Sequence, residues 1–339
     1  MVSASVPRRG VGLSGSARRT PAAAWRHVDL GLAVATIGVA CFGLLMIYSA
    51  TRDKLVAKGI DPAYYLKRQA VFLVLGIVAM MVIASIDYRR LRDFAPVLYG
   101  GSIFLLLAIF SPLGHKSKGA QAWFQVAGYQ FEPSEVAKVA LIMGLAGLCA
   151  SYKGRLGGRE LLVVLGLAAV PFALIYKQPD LGTALILGAI LIAVLLVAGL
   201  RARHLAVLAL IGVVGVVAVL HFGVLQQYQK QRLTAFLDQS ANTQASAYNL
   251  NQSKIAIGSG GPTGKGLGKG TQTNLSYVPE QQTDFIFTAV GEQLGFVGSG
   301  LLLSLFMLMV WRTWRAASSA RVLTGTLLCV GVLAMLVFQ

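Results

Sequence analysis

The chain has 339 residues, 56% of them hydrophobic and 13% charged, and a mean hydropathy of +0.68, values that exclude an ordinary soluble globular domain of this size. Thirty Lys and Arg against thirteen Asp and Glu leave a formal charge of +17. No basic domain interleaved with aromatics is present to engage nucleic acid, so this charge has to be read by location.

Residues 1–27 carry Arg8, Arg9, Arg18, Arg19 and Arg26 and no acidic residue, a composition that cannot bury a core and reads as a disordered basic tail. Arg8-Arg9 followed by Gly10 and Val11 is a poor twin-arginine signal, and the apolar run beyond is too long for a cleaved leader, so a retained first span is expected. A membrane helix needs about 20 apolar residues. Six stretches meet this directly: Leu30 to Thr51, Gln69 to Ile86, Phe94 to Gly114, Leu181 to Leu200, Leu205 to Tyr228 and Val322 to Gln339. Three more spans are expected at Glu135 to Tyr152, Leu161 to Tyr176 and Phe285 to Trp311, which gives an all-α, polytopic membrane bundle of about nine spans. The cysteines Cys41, Cys149 and Cys329 all fall in apolar runs, which excludes a disulfide framework and a paired-cysteine metal site.

With the basic tail placed in the cytoplasm, alternate connections return inside and are short and basic: Arg89, Arg90 and Arg92; Lys153, Arg155 and Arg159; Arg201 and Arg203; Arg312, Arg315 and Arg321. That is the positive-inside pattern. It puts the segments near 52–68, 113–134, 177–180 and 230–284 outside, the last being a long extracytoplasmic loop between spans seven and eight. Connections of that length are generally functional or disordered.

Within the loop, Tyr248 to Ile257 predicts a short helix with Leu250, Ile255 and Ile257 on an apolar side, lying along the membrane surface and stopped by Gly258. Gly258 to Gly270 follows with seven glycines and only Lys265 and Lys269 charged. Bare glycine amides can approach an anion closely, and the spacing is not that of a Walker loop. A lipid-borne pyrophosphate suits these groups; a flexible hinge is the alternative. Asp284 then sits at the mouth of a span, four residues after Glu280, where it can cap the helix or act as a general base toward a sugar hydroxyl.

Charges inside spans form a second constellation. Glu135 and Lys138 share a helix face behind Pro133 and can pair, and Glu292 lies two turns into the eighth span. Such groups line a polar cavity or form structural ion pairs. Asp180 is placed to cap the sixth span, and Trp123 is either an interfacial anchor or a platform for a sugar ring.

Eight motifs occur in order: KGAQAW (Lys118 to Trp123), FEPSEVAK (Phe131 to Lys138), QPDLGT (Gln178 to Thr183), YQKQR (Tyr228 to Arg232), QSKIAIGSGG (Gln252 to Gly261), GKG (Gly264 to Gly266), GTQ (Gly270 to Gln272) and VPEQQTDFIF (Val278 to Phe287). With them the chain resembles the SEDS (shape, elongation, division, sporulation) family from about residue 28 to the end, and the IAIGSGG and GTQ forms resemble its rod-shape, RodA-type branch rather than the division branch. The resemblance implies one transmembrane domain over 28–339 in a bacterial cytoplasmic membrane. It implies a peptidoglycan glycosyltransferase that joins lipid II units during cell elongation, with undecaprenyl pyrophosphate leaving, beside a class B penicillin-binding protein and other elongation machinery. Asp284 matches the family's essential carboxylate, as base or ligand of a divalent cation (Mg or Mn). Trp123, Glu135 and Lys138 match cavity or activity positions, and Asp180, Arg232, Lys265 and Lys269 are the accompanying substrate-binding candidates. A flippase for the same lipid, or a scaffold for its partners, are the competing readings. The family has ten spans, and this chain stops at Gln339 where the segment before the last would begin.

Overall fold

The structure is a computed structural model that describes residues 28–339 apart from 113, 118–119, 127, 153–155, 222–244, 276 and 279–280. Among the described residues, nine apolar helices carry the chain back and forth. They are α1 (Leu30–Ala57), α2 (Tyr64–Ser85), α3 (Tyr88–Ala108), α4 (Pro133–Ser151), α5 (Gly158–Lys177), α6 (Leu181–Val197), α7 (Ala202–His221), α10 (Ile286–Ser319) and α11 (Leu323–Phe338). They correspond one for one to the expected spans. Six are long and apolar enough to cross a bilayer, and α6, α11 and the apolar part of α7 are shorter. Large apolar side chains such as Val74, Phe104, Leu185, Leu210 and Met307 point outward, and α2 buries none of its residues. Only a hydrocarbon solvent makes that distribution favourable, and the protein is a multi-pass membrane protein.

Two packing units make up the bundle. The larger gathers α3, α4, α5, α6 and α11 around Leu141, Leu145, Val164, Leu187, Ile190 and Leu327. Small residues let these helices approach: a Cβ at Gly331 would meet Ile142. The smaller unit is the seam between α1 and α10, filled by Met46, Ala50, Ala289, Val290 and Leu302, and α10 packs on α11 to join the two. At the far end of this seam Asp29 accepts a hydrogen bond from Leu32 N at 3.0 Å, capping α1, and pairs with Arg312 at 3.4 Å.

Two features depart from the expected plan. The third span ends at Ala108 rather than Gly114, because the chain there enters a three-stranded antiparallel sheet, β1 (Gly114–Ser117), β2 (Ala120–Val126) and β3 (Tyr129–Phe131). His115 pairs with Trp123 and Phe124 with Phe131, and Gln121 Nε2 donates to Ile109 O at 2.8 Å, fastening the sheet to the end of α3. Arg68 of α2 stacks over Tyr129 at 4.6 Å and donates to Gly128 O, which holds the sheet against the second span. The other departure is in α10, which is broken at Gly295 (φ 64, ψ −157).

The break in α10 is closed by the glycine-rich loop. Phe296 N donates to Gly261 O (2.9 Å) and Val297 N to Pro262 O (3.1 Å), while Lys265 N donates to Glu292 O (3.0 Å) and Gly266 N to Gln293 O (2.9 Å). A broken helix at membrane depth must have its freed backbone groups satisfied by protein. Here the loop supplies the partners, and it can come close enough only without side chains. A Cβ at Gly264 would fall on the Gln293 carbonyl, and one at Gly295 on the Gly264 amide. The helix before this loop, α8 (Ala245–Ser259), is longer than expected and packs on α10 through Ser253 and Ala256. Ile255 faces outward and Ile257 is more than a third exposed, although Ile257 lies close to Gly291. The apolar side expected from Leu250, Ile255 and Ile257 is therefore not the buried one.

Candidate active site at the loop-bearing end

Strict alternation of the helices brings the ends of α1, α3, α5 and the start of α10 to one end of the bundle, together with the sheet and the long loop. Gln178 Nε2 donates to Leu106 O (3.4 Å), tying the α5–α6 turn to the end of α3. The expected site residues within the described segments fall here in two groups.

The first surrounds the start of α4. Pro133 occupies the first helical turn as expected, and Lys138, 1% exposed, donates to Glu135 Oε1 at 2.8 Å. The expected pair forms, with Glu135 half exposed and Lys138 fully inside. Asp180 caps α6 by accepting from Thr183 N at 3.1 Å. Trp123 turns its Nε1–H inward, donating to Glu132 Oε2 at 3.2 Å, and Ser134 Oγ donates to Glu132 Oε1. Glu132 was not singled out in the sequence. Burial pushes its carboxyl above the ordinary carboxylate range; the Ser134 hydroxyl opposes this, and the nearby Asp180 and Glu135 charges add to it. Its signal was its place between an aromatic strand and a proline-started helix.

The second group carries Asp284. Residues 281–285 form a turn leading into α10, whose N-cap is Phe285 with no side-chain cap. Asp284 is thus not the helix cap. It is exposed, and no hydrogen bond or ion pair to its carboxylate is present among the described residues. Behind the turn lies Glu292, 0% exposed, with Lys265 Nζ at 2.9 Å. Lys265 Nζ also donates to Ser259 Oγ (2.9 Å) and Thr271 Oγ1 (2.8 Å), so its three protons are directed at protein oxygens. This leaves none for a pyrophosphate in this conformation. The loop amides expected to cradle an anion are in part engaged: those of Gly264, Lys265, Gly266 and Lys269 donate to backbone carbonyls, and Gly268 N donates to Ser49 Oγ (2.9 Å) and Gln293 Oε1 (3.1 Å). Ser49 donates to Gln293 Oε1 in turn, a polar contact inside the α1–α10 seam whose signal was two polar residues within apolar runs. Lys269 is exposed and, among the described residues, its ammonium has no partner. Arg232 and Glu280 lie outside the described residues. Among the described residues no group of three His, Cys, Asp or Glu is arranged to hold a metal.

A polytopic bundle with candidate site residues gathered at one end defines a membrane-embedded protein. The chain belongs to the FTSW_RODA_SPOVE family, described as cell cycle protein, whose model matches residues 30–339. Its relatives include the probable peptidoglycan glycosyltransferase FtsW of Geobacter metallireducens, 35% identical over 318 residues and covering 92% of this chain and 83% of the relative. Stage V sporulation protein E of Bacillus subtilis is 34% identical over 314 residues (92% and 85% covered), and peptidoglycan glycosyltransferase MrdB of Escherichia coli K12 is 34% identical over 315 residues (91% and 81% covered). Among solved structures, a chain of "Structural coordination of polymerization and crosslinking by a peptidoglycan synthase complex" superposes with a TM-score of 0.73 at 28% identity, covering 92% of this chain and 84% of that one. The rod shape determining protein RodA of Thermus thermophilus gives 0.64 at 28% identity, with 92% and 82% covered. Like the FtsW and MrdB relatives, which are named as such, the protein is a glycosyltransferase.

Proposed function

We propose that this chain polymerises lipid II into glycan strands during cell elongation, with Asp284 as the general base. The observation that carries the reading is the exposed carboxylate of Asp284 on the turn that opens α10, without a partner among the described residues. A base needs a free lone pair and an open approach for the attacking hydroxyl, and the exposure of this side chain supports that role. In the proposed step the 4-hydroxyl of one sugar attacks the anomeric carbon of another. The new C–O bond forms as the bond to the lipid pyrophosphate breaks, Asp284 takes the hydroxyl proton, and the electron pair leaves on the pyrophosphate. Lys269, exposed on the same loop, offsets the leaving charge, whereas Lys265 is committed to Glu292. A divalent cation bound here would have Asp284 as its carboxylate and substrate phosphate oxygens as further ligands, the mode common for Mg. No step is assigned to it.

Trp123, held by Glu132, offers an aromatic face for a sugar ring, and Glu135 and Asp180 add polar surface beside it. The basic short connections support a cytoplasmic N-terminus and an extracytoplasmic active end in the bacterial inner membrane. The match to a chain of a polymerising and crosslinking complex supports a class B penicillin-binding protein as partner. The relatives named FtsW, stage V sporulation protein E and MrdB are almost equally identical, so the elongation role rests on the IAIGSGG and GTQ motifs. Against a flippase, the membrane charges Lys138 and Glu292 are each held in an ion pair.

The test is polymerisation of purified lipid II by the full-length protein. Asp284→Asn is expected to abolish glycan product while retaining the thermal unfolding profile and lipid II binding. Polymer made at the parental rate would remove Asp284 as base. Lipid II crossing liposome membranes with no glycan formed would establish the transporter instead.

A further inference from the structure

Glu292 is completely buried, yet its carboxylate accepts five hydrogen bonds. Oε1 receives Lys265 Nζ (2.9 Å), Gln272 N (2.8 Å) and Thr271 Oγ1 (3.2 Å), and Oε2 receives Thr273 N (2.9 Å) and Thr273 Oγ1 (2.7 Å). Two of these donors are the second and third backbone amides of the short turn α9 (Thr271–Asn274). Gln281 Nε2 continues the network, donating to Thr273 Oγ1 (3.1 Å) and to Thr288 Oγ1 (2.9 Å), and Thr288 Oγ1 donates to Phe285 O (2.7 Å). Glu292, Thr273, Gln281 and Thr288 are all buried.

The donor directions are determined throughout. Glu292 can only accept, so Thr273 must spend its proton on Glu292 and present a lone pair to Gln281. Gln281 must then turn its amide nitrogen toward both threonines, which makes Thr288 donate to the carbonyl of Phe285. A buried network with one consistent polarity favours one arrangement of its members, and within it Gln281 Oε1 has no partner among the described residues. Its far end is the carbonyl of Phe285, the residue that follows Asp284.

We infer that Glu292 and Thr273 are positioning residues for Asp284, orienting the 281–285 turn through Gln281 and Thr288 rather than touching substrate. This rests on Asp284 being the base. It accounts for a buried carboxylate that the chemical step does not use, and it gives Lys265 the role of counter-charge to the brace. Replacing Glu292 by the isosteric Gln would aim an NH₂ group at donors and reverse the polarity of the network.

The test uses the full-length protein and lipid II, with rates measured well below the unfolding midpoint of each variant. Thr273→Val removes the linking hydroxyl at constant shape, and Thr273→Ser keeps it. The expected result is a fall in kcat of at least about tenfold for Thr273→Val, with KM for lipid II within about twofold, and recovery of kcat in Thr273→Ser. Glu292→Gln is expected to show the same split where it folds. Parental kcat in folded Thr273→Val, or an equal loss in Thr273→Ser, would overturn the inference while Asp284→Asn remains inactive. Activity surviving in Asp284→Asn would instead overturn the reading on which it rests.

Discussion

Substituting Gly264 by Ala would test whether the glycine-rich loop is a plug for the break in α10 rather than a hinge. Gly264 has φ +81, and a Cβ there would collide with the carbonyl of Gln293 and the amide of Leu294, which are backbone atoms that cannot swing aside. The left-handed conformation costs an L-residue about 1–2 kcal/mol. Displacing the loop also strains the bonds from Lys265 N to Glu292 O and from Gly266 N to Gln293 O, each worth about 1 kcal/mol. Together these give a loss of about 3–4 kcal/mol. Gly258→Ala is the matched control: it lies within α8, its Cβ would meet nothing within 4 Å, and its φ is not in the left-handed range. Ala there should gain about 0.5–1 kcal/mol from helix propensity. Thermal unfolding of the full-length protein in one detergent should rank Gly258→Ala at or above the parent and Gly264→Ala well below it. A Gly264→Ala variant that melts with the parent would show that the loop does not fill the helix break.

Glu132 predicts a pH dependence. Its carboxyl is raised above the ordinary value of 4.5 chiefly by burial, so the folded protein holds this proton to higher pH than the unfolded chain does. Stability from this group therefore falls as pH rises from 4.5 toward the folded value, and unfolding midpoints across that range should show a shallower decline in Glu132→Gln. The Lys138–Glu135 pair predicts an asymmetry. Glu135→Gln strands a buried ammonium and should cost about 1–3 kcal/mol, reduced by the carboxylate's exposure. Lys138→Met leaves a half-exposed carboxylate to water and should stay within about 1 kcal/mol of the parent. Equal unfolding midpoints for the two variants would contradict the burial difference.

The spans were legible because a bilayer demands long apolar runs whatever they pack against, so each of the nine runs has its helix among the described residues. The pairing of Glu135 with Lys138 and the capping by Asp180 were legible because both are local, three residues apart in sequence. The sheet after α3 was not, since Gly114 to Phe131 has no sustained alternation of polar and apolar residues and its strands are short. Glu132 escaped notice because its partner Trp123 is reached only across the sheet. Lys265 and Asp284 show the limit most clearly. Both were candidates by residue type and loop context, yet one is bound to a glutamate 27 residues away and the other is exposed without a partner among the described residues.

The amino-acid sequence alone determined a membrane-spanning helical protein with unusual polar groups in one long loop and at the ends of its spans, because hydropathy and charge act residue by residue. Which glycines close a broken helix, which lysine is spent on a buried glutamate, and which carboxylate stays unpaired were decided only by the tertiary fold. Those assignments depend on hydrogen-bond directions and backbone approach between segments far apart in the chain, and no local pattern carries that information.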